Sequence, residues 1–132
     1  MFSRTTEYAL RAALYLAKYG GANSTAQQIA GMTQVPEGYM AKVLNTLVRA
    51  GLVSSQRGPT GGFQLAFDPE KMTILDIVEA VEPLPRFERQ AKPCGMGAWC
   101  PVSRLLEGVV ATTAKSLGST TIADLARAIP MT

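Results

Sequence analysis

The chain has 132 residues, 47% of them hydrophobic, with 13 basic and 10 acidic side chains, two cysteines, no histidine and a net charge of +3 at neutral pH. That length and apolar content suit one domain with a core of its own, and no apolar run is long enough to cross a bilayer. With no histidine, no phosphate-binding loop and no paired carboxylates in a recognisable catalytic motif, an enzyme is not expected.

The opening stretch "MFSRTTEYALRAALYLAKYGG" predicts an amphipathic helix from about Thr5 to Lys18. Leu10, Ala13, Leu14 and Ala17 recur at helical spacing, and Gly20-Gly21 end the pattern. Arg11 interrupts the apolar run, which argues against an export signal and for a cytoplasmic protein. In "NSTAQQIAGMT", Ser24 with Gln27 three residues on predicts a capping box, and Ala26, Ile29 and Ala30 give a short helix an apolar face. In "QVPEGYMAKVLNTLVRAGLV", Pro36 suits a first turn. Tyr39, Val43, Leu44 and Leu47 fall on one face, and Gly51 suits the helix end.

The period then changes. In "GLVSSQRGPTGGFQLA", Leu52-Val53 and Phe63 with Leu65 predict two short strands about a Gly/Pro turn. Three helices followed by a hairpin is the order of a winged helix-turn-helix, whose third helix enters the major groove and whose wing lies on the flanking backbone or minor groove. The fold expected is thus mainly α with a β-hairpin wing. Lys42, one turn into the third helix, is a candidate DNA contact. At the wing tip Arg57 is the leading one, with Gly58, Thr60 and Gly61 letting the backbone approach phosphates. Tyr39 reads first as a core or hinge residue and stays among the DNA-facing candidates. Charge agrees with this placement: residues 1–57 carry six basic side chains against two acidic ones, the remainder seven against eight, so the surplus that attracts an anionic partner lies in the first part.

"DPEKMTILDIVEAVEP" predicts a fourth helix capped by Thr73 and Asp76, with Ile74, Ile77, Val78 and Val81 as its apolar face. Regularity fails from Pro83 to Pro101, where proline and glycine recur. "PVSRLLEGVVATTAKSL" then predicts a long helix and "STTIADLARAI" a short last one. Leu105, Leu106, Val109, Val110 and Leu117 belong to one broad stripe on the long helix. A helix of this length at the end of a small domain seeks a partner helix, so a homodimer is expected, as operator binding by such domains requires. The chain divides into a DNA-binding part over 1–82, a loop over 83–100 and a dimerisation part over 101–132. Cys94 and Cys100 lie in or at the edge of the loop. In a reducing compartment such a pair serves as free thiols, metal ligands or a redox switch more often than as a structural staple. Zinc is disfavoured, because no second cysteine pair or histidine completes a tetrahedron.

The segments "EYALRAALYLA", "QQIA", "VPEGYMAKVLNTLVRAGLVSSQRGPTGGFQLA", "ILDIVEAVE", "CPVSRLLEG" and "TTIADL", in that order, resemble the Rrf-two family of winged-helix transcriptional regulators. The resemblance covers nearly the whole chain and implies a homodimer on double-stranded DNA with a sensing loop at 83–100. The family includes repressors that sense iron–sulfur clusters and nitric oxide. Its cluster-binding members present three loop cysteines; Cys94 and Cys100 match the second and third, and Glu88 stands at the first. An acidic residue of the partner's first helix sometimes serves as a further ligand, and Glu7 holds that place. Ser103 stands where a histidine sometimes follows. The resemblance thus implies an iron–sulfur cluster held by Cys94, Cys100 and Glu7. A thiol–disulfide switch of the two cysteines is the alternative reading. The residues alone give Glu7 a plainer role, as a carboxylate at a helix N-terminus.

Overall fold

A computed structural model describes residues 2–20, 23–85 and 100–130, with Cys100 described by its backbone only. Its elements are α1 (Arg4–Lys18), α2 (Ala26–Thr33), α3 (Glu37–Arg49), β1 (Val53–Gln56), β2 (Gly62–Leu65), a 3-10 turn (Pro69–Lys71), α4 (Ile74–Val81), α5 (Cys100–Gly118) and α6 (Ile122–Arg127). The order is that of a winged helix-turn-helix followed by a long helix and a short one. Among the described residues no helix is long and apolar enough to cross a membrane.

Helix α1 lies at the centre and packs against α2, α3, α4 and α6. Ser3 caps it by accepting the amide of Thr6. Its buried line is Thr6, Ala9, Ala12, Ala13 and Leu16, displaced from the stripe that the spacing of Leu10, Ala13, Leu14 and Ala17 predicts; Leu10, Leu14 and Ala17 are only half-buried. The reason is the number of neighbours. A helix with partners on several sides buries its small residues where backbones come closest, and its leucines fill the flanks. The core is completed by Ile29, Met40, Leu44, Leu47, Met72, Ile77 and Ile122, each at most 1% exposed. Burying a side chain of this size stabilises the fold by about 1.5–3 kcal/mol relative to leaving it exposed.

The capping box of α2 forms one residue later than Ser24 and Gln27 predict. Thr25 accepts the amide of Gln28, and the Gln28 side chain accepts the amide of Thr25. Ser24 is taken up elsewhere: its amide and carbonyl pair with Phe63, at 3.1 and 2.7 Å, so the hairpin gains a bridge to the segment before α2. The predicted cap of α4 forms, Thr73 with Asp76, and α6 carries a box of the same kind, Thr121 with Asp124. The last helix returns to the body of the fold, where Ile74 donates to the Thr120 carbonyl and Ile122 to that of Met72.

Candidate nucleic-acid interface

The turn between α2 and α3 is short. Gln34 adopts the left-handed region, φ 59°, and ends α2; Val35 is buried; Pro36 precedes α3 and caps it through its extended backbone, without a side-chain hydrogen bond. Pro36 therefore stands at the N-cap rather than inside the first turn. At the other end Gly51, φ 79°, donates to Val48, and Leu52 donates to Leu47. This is a Schellman stop, and it turns the chain directly into β1.

Helix α3 has two opposed faces. Met40, Val43, Leu44 and Leu47 are buried, while Gly38, Lys42, Asn45 and Arg49 are exposed. At about 100° per residue the second set centres opposite the first. Tyr39 does not belong to the core stripe, contrary to the spacing argument: it is 57% exposed. Met40 takes the central apolar place, and Tyr39 sits at the margin. Its ring meets the edge of Tyr8 with centroids 6.2 Å apart. Asn45 and Arg49 escape attention in the sequence, although their spacing from Lys42 places them on its face.

The hairpin pairs Val53 with Leu65 and Gln56 with Gly62, leaving Arg57 to Gly61 as its tip. Arg57, Gly58, Pro59 and Thr60 are exposed. Among the described residues Arg57 makes no ion pair. Two glycines are required by the geometry. A Cβ at Gly61 would fall 2.3 Å from the Gln56 carbonyl oxygen, and one at Gly62, φ 147°, 2.6 Å from that of Ser24. Asn23 fastens the tip from outside: its side-chain amide donates to Gln56 Oε1 at 2.8 Å and to the Thr60 carbonyl at 3.1 Å. Its neighbour Ser24 already reads as a cap, which hides this role in the sequence. Since α3 packs against β1, the polar face of the helix and the cationic tip are held by one rigid joint.

Glu7 lies in the first turn of α1, exposed, and pairs with Arg11 at 2.7 Å. Arg11 also donates to the Thr33 carbonyl at 3.0 Å and lies 5.8 Å from the centroid of the Tyr8 ring. Cys94 and Glu88 lie outside the described residues, as does the side chain of Cys100. Among the described residues no group of three or more His, Cys, Asp or Glu is placed to hold a metal ion. Within one chain, therefore, Glu7 alone of the three suggested cluster donors is seen, and its partner is a cation.

On α5, Val102, Leu105, Leu106 and Val109 are 40–67% exposed. Val110, Ala114 and Leu117 pack on the core. The stripe is thus split: its C-terminal part serves the fold of a single chain, and its N-terminal part is open.

Residues 2–128 match the Rrf2 family, described as iron-dependent transcriptional regulators. A protein of Aquifex aeolicus (strain VF5) described as an HTH-type transcriptional regulator is 43% identical over 79 residues, which is 60% of this chain and 55% of that one; the match thus spans about half the length of that relative. Among solved structures, T. potens IscR superposes with a TM-score of 0.78 at 26% identity, over 97% of this chain and 87% of that one. CymR, the global cysteine regulator of B. subtilis, does so with a TM-score of 0.72 at 28% identity, over 98% of both chains. With the family match running over nearly its full length and with the fold of these regulators, the chain belongs to the Rrf2 family of transcriptional regulators.

Proposed function

We propose that the protein binds double-stranded DNA as a homodimer, reading the major groove with α3 and the flanking backbone with the β1–β2 wing, and that the 83–100 loop sets its affinity. The observation that carries the reading is the exposed face of α3, Gly38, Lys42, Asn45 and Arg49, adjoining a wing tip whose Arg57 has no competing carboxylate among the described residues. The first turn of α3 supports it as well. No side chain caps its amides, and free amides at a helix N-terminus suit a phosphate oxygen. Lys42 and Arg49 supply charge, and Asn45 supplies a side chain able to bond a base edge.

A homodimer follows from the open part of the α5 stripe. Leu105 at 67% exposure is costly to leave in water, and a second α5 would cover it. Such a dimer presents two recognition helices, and about 34–36 Å between them matches successive major grooves. Leu105→Glu places a carboxylate in that contact; sedimentation should show dimer for the native chain and monomer for the variant. A native chain that sediments as monomer would remove the dimer.

The signal is read, on this account, at Cys94 and Cys100. The family description as iron-dependent supports an iron–sulfur cluster there, which would supply a centre sensitive to redox state and nitric oxide. Glu7 is exposed on the N-terminal turn of α1 and accessible to a second subunit, so it suits a further ligand once Arg11 releases it. Anaerobic purification with visible absorption and iron and sulfide analysis tests this: Cys94→Ala and Cys100→Ala should each abolish the absorption. A colourless native protein whose two cysteines form a reversible disulfide that changes DNA affinity would put a thiol switch in the place of the cluster.

A further inference from the structure

We propose that Asn23 is a positioning residue for DNA binding: it holds the wing tip still, so that Arg57 meets the duplex already ordered. The proposal rests on the reading of the wing as a DNA contact. Little else restrains the tip. The inner end of the hairpin is anchored, with Val53 buried, β1 against α3 and β2 against α1. Ser55, Gln56, Arg57, Gly58, Pro59 and Thr60 are all exposed, so no apolar burial fixes the outer end. A two-stranded hairpin without such packing is marginal in water. Within the hairpin, the outer end has the ladder as far as Gln56 and Gly62 and a turn bond of 2.9 Å from the Gly61 amide to the Gly58 carbonyl.

Asn23 supplies the missing restraint. Among the described residues, the hydrogen bonds that reach residues 56–61 from outside the hairpin both come from its side-chain amide, at 2.8 Å to Gln56 Oε1 and 3.1 Å to the Thr60 carbonyl. The Thr60 carbonyl can only accept, so the amide nitrogen must face it, and its two hydrogens serve the two partners. One bond holds the end of β1 and the other the tip itself. The segment behind Asn23 is well anchored. Ser24 is 6% exposed and pairs with Phe63 through its amide and carbonyl. Thr25 caps α2, and α2 packs on α3. The tip is thus tied twice to the recognition helix, directly through β1 and again through Asn23, Ser24, Thr25 and α2. A tip held in this way avoids the cost of ordering a loop and a long side chain at the moment of binding.

The test uses the full chain, first without DNA and then with it. In the free native chain, NMR relaxation should give backbone order parameters of about 0.85 at the amides of Arg57, Gly58, Thr60 and Gly61. In Asn23→Ala they should fall below about 0.6, while those of Ser54 and Gln64 stay high. A fluorescent mixed-sequence duplex of about three helical turns is then titrated and followed by anisotropy. Asn23→Ala should weaken binding about three- to tenfold. On an Arg57→Ala background the same change should cost less than about twofold, because no arginine at the tip then needs placing. On a Lys42→Ala background it should cost as much as in the native chain. A tip equally ordered with and without the Asn23 amide would overturn the proposal, as would equal losses on the native and Arg57→Ala backgrounds. A neutral Asn23→Ala beside a damaging Arg57→Ala would overturn it and leave the wing reading intact. Arg57→Ala without effect on affinity would overturn the wing reading, and the proposal with it.

Discussion

Replacing Gly62 by alanine probes how the wing is held. Two costs can be read from its surroundings. The backbone at φ 147° is one that an L side chain rarely adopts, which costs about 1–3 kcal/mol. The new methyl would also stand 2.6 Å from the Ser24 carbonyl oxygen and 2.7 Å from its carbon. Backbone atoms cannot step aside as a flexible side chain would, so β2 must move away from Ser24. That movement breaks the Ser24–Phe63 pair, two backbone hydrogen bonds of 3.1 and 2.7 Å, each worth about 0.5–1.5 kcal/mol. The expected loss is about 2–6 kcal/mol by chemical denaturation followed by circular dichroism, with a fall in DNA affinity as Arg57 leaves its place. Gly58→Ala is the control. It shares a positive φ of 107°, but an added methyl meets nothing within 4 Å, so it should lose only the conformational part. Equal denaturation midpoints for the two variants would refute the reasoning, because they would show that the close approach to Ser24 carries no free energy.

Met40→Ala should cost about 2–5 kcal/mol as a cavity in the core, whereas Tyr39→Ala should cost only the edge-to-face pair with Tyr8, about 0.5–1.5 kcal/mol; the same denaturation assay separates them. Lys42→Ala and Arg49→Ala should each lower DNA affinity and reduce the slope of log K against log salt by about one unit if each contacts a phosphate, as fluorescence anisotropy at several salt concentrations would report. The Asp124 carboxyl is held below its ordinary value of 3.8, chiefly because the Thr121 amide donates to it, with Arg127 assisting. A carboxylate with a depressed folded value stabilises the fold fully above 3.8 and loses that contribution as the pH falls through the folded value. Thermal melts of the native chain and Asp124→Asn should therefore differ at neutral pH and converge in acid.

The order of elements is legible in the sequence because each carries its own punctuation. Thr73 with Asp76 and Gly51 mark helix ends by side-chain and backbone chemistry that needs no tertiary partner. The misread positions are those that tertiary packing decides. Tyr39 lies beside Val43 on the helical wheel, and only the packing of α3 reveals that Met40 faces the core. Thr25 caps α2 because Ser24 is drawn into a pairing with Phe63, 39 positions along the chain, which no local pattern announces. The displaced stripe of α1 has the same origin, since its several neighbours select alanines over leucines for closest approach. Of the candidate site, the wing and Lys42 could be found from composition and spacing. Asn23, which fastens the wing tip, could not, because its partners Gln56 and Thr60 lie 33 and 37 positions along the chain.

The central claim is that α3 and the wing together form a DNA-reading surface, and the most direct measurement is selection from a random duplex library followed by binding of the enriched duplex at a series of salt concentrations. The native chain should enrich two inverted half-sites about one helical turn apart. It should bind them with an affinity that falls steeply with salt, and the double change Lys42→Ala and Arg57→Ala should weaken binding and flatten that dependence. Enrichment of no sequence, together with an affinity indifferent both to salt and to the double change, would contradict the account.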